Sequence, residues 1–255
     1  MLKLAFRNIF RSPLRTSLTL AAIITGVVTI IISGGFIEDV FVQLRESTIH
    51  SHLGHIQVFQ HGYQEYGRRE PSRYMIRQPD NVIDTISHIP HVQAVMMRAN
   101  FSGLVHNGRA DLPVIGEGIE PDKEAQLGSA ITITAGRLLQ DSDKFGAIVG
   151  EGVASALNLH AGDYITLMAN TLNGALNTLE CEIVGIFRTF SKEYDDRAIH
   201  IHLLAAQELL DTESVHGTIV LLDNTDKTDQ VISKIAAALA SQNYEIKAWW
   251  ELADF

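Results

Sequence analysis

The side chains that could do chemistry are few and scattered. His50, His52, His55 and His61 crowd a twelve-residue stretch. That spacing can bring imidazoles together as zinc ligands, but no cysteine or carboxylate inside it completes a tetrahedral set. The cluster reads either as a weak metal site or as solvated polar residues. His200 and His202, on one face of an expected strand, carry the same two readings. Cys181, the single cysteine, falls in an alternating strand pattern and suits packing better than nucleophilic attack. A lone cysteine also excludes a disulfide framework and any CxxC site. Gly150-Glu151-Gly152-Val153-Ala154-Ser155 approaches the G-x-G-x-x-G of dinucleotide sites. Serine stands in place of the third glycine and no βαβ repeat surrounds it, so a tight strand-to-helix turn is the simpler reading. Asp195-Asp196 ends a polar loop, where acids serve turns. Neither GxSxG nor GxxxxGK[ST] occurs, which excludes a P-loop ATP site. No catalytic activity, metal or cofactor is expected of this chain.

The elements that must position these residues follow from composition and hydropathy. Of 255 residues, 46% are hydrophobic and 20% charged, enough apolar surface for a core and enough length for one large or two smaller domains. Lys3, Arg7, Arg11 and Arg15 put four cations and no acid into the first fifteen residues. That leaves −14 on the remainder of a chain whose formal charge is −10. A basic tip on an acidic body argues against nucleic acid as a partner and for a membrane.

Thr16–Ile37 is a run of 22 residues without a charge, about 33 Å as a helix against a hydrocarbon core of about 30 Å. It is longer than a signal-peptide apolar region, and no A-x-A-like cleavage site follows. The basic flank before it and the net acidic flank after it predict a cytoplasmic N-terminus and an outer, periplasmic body. Ser17, Ala21, Ala22, Thr25, Gly26, Thr29 and Ser33 share one half of the span, which suits close packing on another helix. A lone anchor needs no such face. Residues 1–13 read as a basic amphipathic elbow at the cytoplasmic interface or as an ordinary positive flank, with Pro13 marking a bend.

Residues 38–53 continue as a stalk, with Ile37, Phe41, Leu44 and Thr48 in a stripe. An α+β core domain is predicted over 54–248. Its elements are a strand at GHIQVF, a helix from Pro79, short strands and turns to Glu120, and a strand at Ala147–Val149 leading into a helix. An Asn173-Gly174 hairpin, a helix Leu203–Leu210 and a strand Thr218–Leu222 follow, then a helix through Val231 and Ile235 and a strand Tyr244–Trp249.

In this order the parts resemble the N-terminal half of MacB/FtsX-type ABC transporter permeases, particularly the lipoprotein-releasing LolC/LolE type. The likeness is carried by LAFRNIFRSPLRTSLTLAAIITG, GHIQVFQHGY, ITAGRLL, AIVGEGVASALNLHAGDYITL, EIVGIFRTF and LLAAQELL. The resemblance implies a two-lobed periplasmic core (Porter and Sabre), a separate cytoplasmic ATPase and a second permease chain or a C-terminal half. A periplasmic carrier would join them in the lipoprotein-releasing type. Family permeases continue through a returning stalk and three spans, so residues 249–255 would begin that return. The alternative is a single-span anchored binding or adaptor module.

Overall fold

In the computed structural model, residues 13–67, 73–128, 131–240 and 242–253 are described. The elbow, with Lys3, Arg7 and Arg11, lies outside them. The chain forms two units, Met1–Ser47 and Thr48–Phe255, treated separately below.

The described part of the first unit is all helix, α1 (Pro13–Thr48), 36 residues long with none buried and ending one residue into the second unit. Its span therefore exposes Leu18, Ile23, Ile30, Ile31 and Phe36, which water would not tolerate as a continuous surface but lipid does. Helical structure runs on through residues 38–48, about 16 Å at the ordinary rise.

The second unit begins at Thr48 and runs into a five-residue π-helical turn, Ile49–Leu53, and among its described residues there are ten strands. Four of them, β1 (Ile56–Gln60), β2 (Val92–His106), β9 (Gly217–Leu222) and β10 (Tyr244–Ala248), pair antiparallel in the order β10-β1-β9-β2. Helix α3 (Pro79–Ser87) lies between β1 and β2, and α8 (Thr228–Ala238) between β9 and β10. This makes a split βαββαβ lobe. Alternation puts Ile56, Val58, Val95, Val220 and Leu222 on one face, where Val82, Ile86, Val231 and Ile235 from the two helices cover them. Spacing of four along each helix supplies those contacts. On the opposite face Met96, Ile219 and Leu221 close around Leu127.

Between β2 and β9 the chain builds a second lobe. Strands β3 (Asp111–Ile119), β5 (Gly146–Gly150), β6 (Tyr164–Asn170), β7 (Leu176–Arg188) and β8 (Ala198–His202) join the far half of β2 in a closed ring, β2-β3-β8-β5-β7-β6. The short β4 (Thr132–Gly136) pairs with β7 outside the ring. Val105, Val114, Val149, Ile165, Leu167 and Ile199 lie in the barrel core. Cys181 is buried with them, and burial pushes its thiol up to about 12, so it is packing, as its strand pattern predicts. Helix α7 (Leu203–Leu210) packs on β2, β3, β6 and β7 and buries Leu203, Ala206, Leu209 and Leu210.

Three expectations are corrected. The stretch from Pro90 to Glu120 holds not short strands but one of 15 residues and one of 9. Asn100, Ser102 and Gly103 look like breaks, yet Gly103 is needed inside the strand: a Cβ there would lie 2.4 Å from the Met168 carbonyl oxygen. The last strand stops at Ala248, where Glu251 accepts the Ala248 N–H at 2.9 Å and starts a helical turn, α9 (Trp249–Leu252). Asp195 is no simple turn acid either: it is buried and accepts both the Thr189 N–H and the Thr189 hydroxyl.

Candidate functional site

Ser17, Ala21, Ala22, Thr25, Gly26, Thr29 and Ser33 all lie on α1 and are exposed along it. The Ser17 hydroxyl donates to the Leu14 carbonyl at 3.1 Å, satisfying the group within the helix as an apolar medium demands. A side chain at Gly26 would meet nothing within 4 Å. Arg15 is exposed in the first turn.

His55, His200 and His202 are buried and structural rather than solvated. His55 is buried; its Nδ1 accepts the Leu222 N–H at 3.2 Å while Nε2 meets the Thr225 hydroxyl at 3.0 Å. His200 is buried with its Nε2 2.7 Å from the Tyr194 hydroxyl and its ring 4.9 Å from that of Phe187. His202 caps α7 by accepting the Leu204 N–H at 3.1 Å, and His61 is exposed. Among the described residues no three His, Cys, Asp or Glu side chains are grouped to hold a metal. The Gly150–Gly152 motif serves packing: Cβ atoms there would lie 2.2 Å from the Asp195 carbonyl oxygen and 2.1 Å from the Asp196 carboxylate. The glycines let the end of the helical turn Lys192–Asp195 close on α5 (Glu151–Leu157).

The densest polar chemistry sits where the two lobes meet, at residues the sequence reading does not single out. Strand β2 serves both lobes. Arg98 is its last residue paired with β9, and Ala99 its first paired with β3. The Arg98 guanidinium donates to Glu124 and lies 3.6 Å from Glu117, with all three side chains mostly buried. Burial works against its charge, yet Glu124 and Glu117 hold it protonated, above its ordinary value. Burial raises the Glu124 carboxyl, and Arg98 pulls it back only in part. Beside this pair Glu120 accepts the Met97 N–H at 2.7 Å and the Lys123 ammonium at 2.8 Å. The returning chain is tied to the same point: the His216 N–H donates to the Arg98 carbonyl at 2.9 Å. The Asn100 N–H donates to His216 Nδ1 at 3.0 Å. Burial lowers His216 to about 4, so the ring is neutral and able to accept.

Two signals point to this cluster in retrospect. Arg98 interrupts the apolar run Ala94-Val95-Met96-Met97, and Glu117 stands between Gly116 and Gly118 in a strand. Charges inside apolar strands must be paired when buried. A cleft of about 780 Å³ opens alongside, bordered by Arg77, Lys123, Glu120, Asp141 and Leu204. Its mixed charges select no ligand class.

A one-helix unit joined to a two-lobed core, with the barrel spliced into a βαββαβ lobe, can be set against known proteins. The family model for the MacB-like periplasmic core domain matches residues 16–238. The chain belongs to that family. Among solved structures the MacB-like core is similar to the periplasmic region of MacB from Actinobacillus actinomycetemcomitans. The TM-score is 0.57 at 12% identity, covering 78% of this chain and 91% of that one. It is also similar to the extracellular domain of the noncanonic ABC-type transporter YknZ from Gram-positive bacteria. There the TM-score is 0.56 at 14% identity, covering 75% and 98%. Both are likenesses of fold. A MacB-like core places the chain in the ABC-type transporter permease family, whose core domain is generally not catalytic. Together with α1, long and apolar enough to cross a membrane, it fits a membrane-anchored protein carrying a MacB-like periplasmic core domain.

Proposed function

We propose that this chain is a permease subunit, or the N-terminal portion of one, of an ABC-type system in the bacterial inner membrane. ATP is hydrolysed by a separate cytoplasmic partner, and α1 carries the resulting movement to the MacB-like core. The cargo is exported or released at the periplasmic side and belongs to the lipoprotein, lipid, peptide or drug classes. Lipoprotein release is the member of that set which the sequence resemblance favours. The observation that carries the reading is the family match extending through α1 itself, from Thr16 onward. The four N-terminal cations support a cytoplasmic start under the positive-inside rule. The small-residue half of α1 supports a second helix packed on it, from another permease chain or a C-terminal half.

The test is a mild-detergent pull-down of the tagged native protein with mass spectrometry of its companions. Recovery of an ABC ATPase together with a multi-span chain is expected. Intact protein in the membrane with neither companion would sink the proposal and leave an anchored binding or adaptor module.

A further inference from the structure

The segment Glu120–Leu127 leaves the barrel at the end of β3 and has three successive attachments. At its start Glu120 caps the Met97 N–H at 2.7 Å, a β2 amide on the side away from β9. One turn on, in α4 (Pro121–Glu124), Glu124 grips Arg98 at the lobe crossing. At its end Leu127 is buried against Met96, Ile219 and Leu221 on the underside of the four-stranded lobe. There the Leu127 carbonyl accepts from His50 Nδ1 at 2.6 Å. His50 belongs to the π-helical turn that continues directly from α1. Its ring stands edge-on to His55 at 5.9 Å, and His55 is itself bonded to β9 and Thr225. Eight residues thus join the π turn to the crossing by side-chain contacts, in parallel with the longer covalent route through β1.

We propose that Glu120–Leu127 is a transmission strap: displacement of the π turn at His50 is delivered through Leu127 and Glu124 to Arg98, and so to the barrel lobe. π turns are frequent at functional sites, and the charge-assisted Arg98–Glu124 contact is of the short, strong, directional kind. The strap deepens the reading that α1 carries movement to the core. It is tested without any ATPase, so its failure and that of the transporter reading are distinguishable.

Amide hydrogen exchange on the full chain in detergent is the measurement. His50→Ala is expected to speed exchange at the Met97 amide at least tenfold, Met97 being bonded to Glu120 at the far end of the strap. His50→Asn, which keeps an N–H donor for Leu127, is expected to restore protection. Exchange in α8, which packs on the opposite face of the four-stranded lobe from Leu127, stays as in the native chain in both. Because coupling is reciprocal, the isosteric Glu124→Gln at the other end is expected to speed exchange at Gly54, whose N–H closes the π turn on the Ile49 carbonyl. Acceleration confined to the peptides around each substitution, in both variants, would overturn the strap.

Discussion

Replacing Arg98 by methionine removes the cation that two buried carboxylates share. The Arg98 side chain is 10% exposed and those of Glu117 and Glu124 are 18% exposed, so solvent screening is weak. Breaking a buried pair by removing one partner costs about 3–5 kcal/mol, because the remaining charge stays desolvated. For a domain of this size that corresponds to a fall in Tm of roughly 6–20 °C, at about 2–4 °C per kcal/mol. Methionine fills similar volume, so little of the loss is attributable to a cavity. Burial already raises Glu124, and losing Arg98 raises it further. A carboxyl whose folded pKa exceeds its unfolded value contributes stability below the unfolded pKa, and that contribution is lost as pH climbs through the folded one. The gap between native chain and variant is therefore widest near neutral pH and narrows toward about pH 4.5. The triple change Arg98→Met, Glu117→Gln, Glu124→Leu removes every charge at once and is expected to recover most of the loss, as apolar replacements of buried ion clusters often do. Urea unfolding followed by circular dichroism in detergent supplies the numbers. An Arg98→Met variant within about 1 kcal/mol of the native chain at pH 7, or a gap that grows on acidification, would refute the electrostatic account.

Three further predictions concern other parts of the chain. His216, lowered by burial to about 4, binds its proton in the unfolded chain first. Stability should fall as pH drops from about 6.5 toward 4, by up to about 3 kcal/mol. A native chain no steeper over that window than His216→Gln would exclude this. Gly152→Ala places a Cβ 2.1 Å from the Asp196 carboxylate and 2.5 Å from its Cα. A loss of about 1–3 kcal/mol is expected from overpacking, and an unchanged urea midpoint would contradict it. If the proposed permease partner packs on this half of α1, Gly26→Leu with Thr29→Leu should halve or abolish its co-purification while leaving core unfolding untouched. Undiminished recovery would exclude this half of α1 as the packing face.

The apolar span, the α3 and α8 stripes and the β6–β7 hairpin were legible because each is a local pattern. Twenty-two uncharged residues, apolar positions four apart and an Asn-Gly turn require no knowledge of the rest of the fold. Strand β2 was not legible, since its polar centre belongs to a crossing between lobes that only the tertiary structure defines. The barrel closes through β2–β6 contacts some sixty residues apart in sequence, for which no short-range signal exists. The Arg98 cluster was visible only as a charge out of place in an apolar run. His55 and Asp195 read as surface residues because composition cannot say which polar side chains will find partners inside.

Splicing the barrel between β2 and β9 also dictates an order of events during synthesis. Strand β1 leaves the ribosome early, yet both of its neighbours, β9 and β10, lie beyond residue 216. The barrel strands from Ala99 to His202 are all available before either neighbour has been made. The barrel can therefore form first, while β1 waits with two unpaired edges next to a membrane segment already being inserted. Pairing over such a separation is slow, and open strand edges invite association with other chains. The burden of folding this protein falls on the interval between completion of the barrel and arrival of β9. A chaperone protecting the nascent chain would be needed at β1 rather than at the larger lobe.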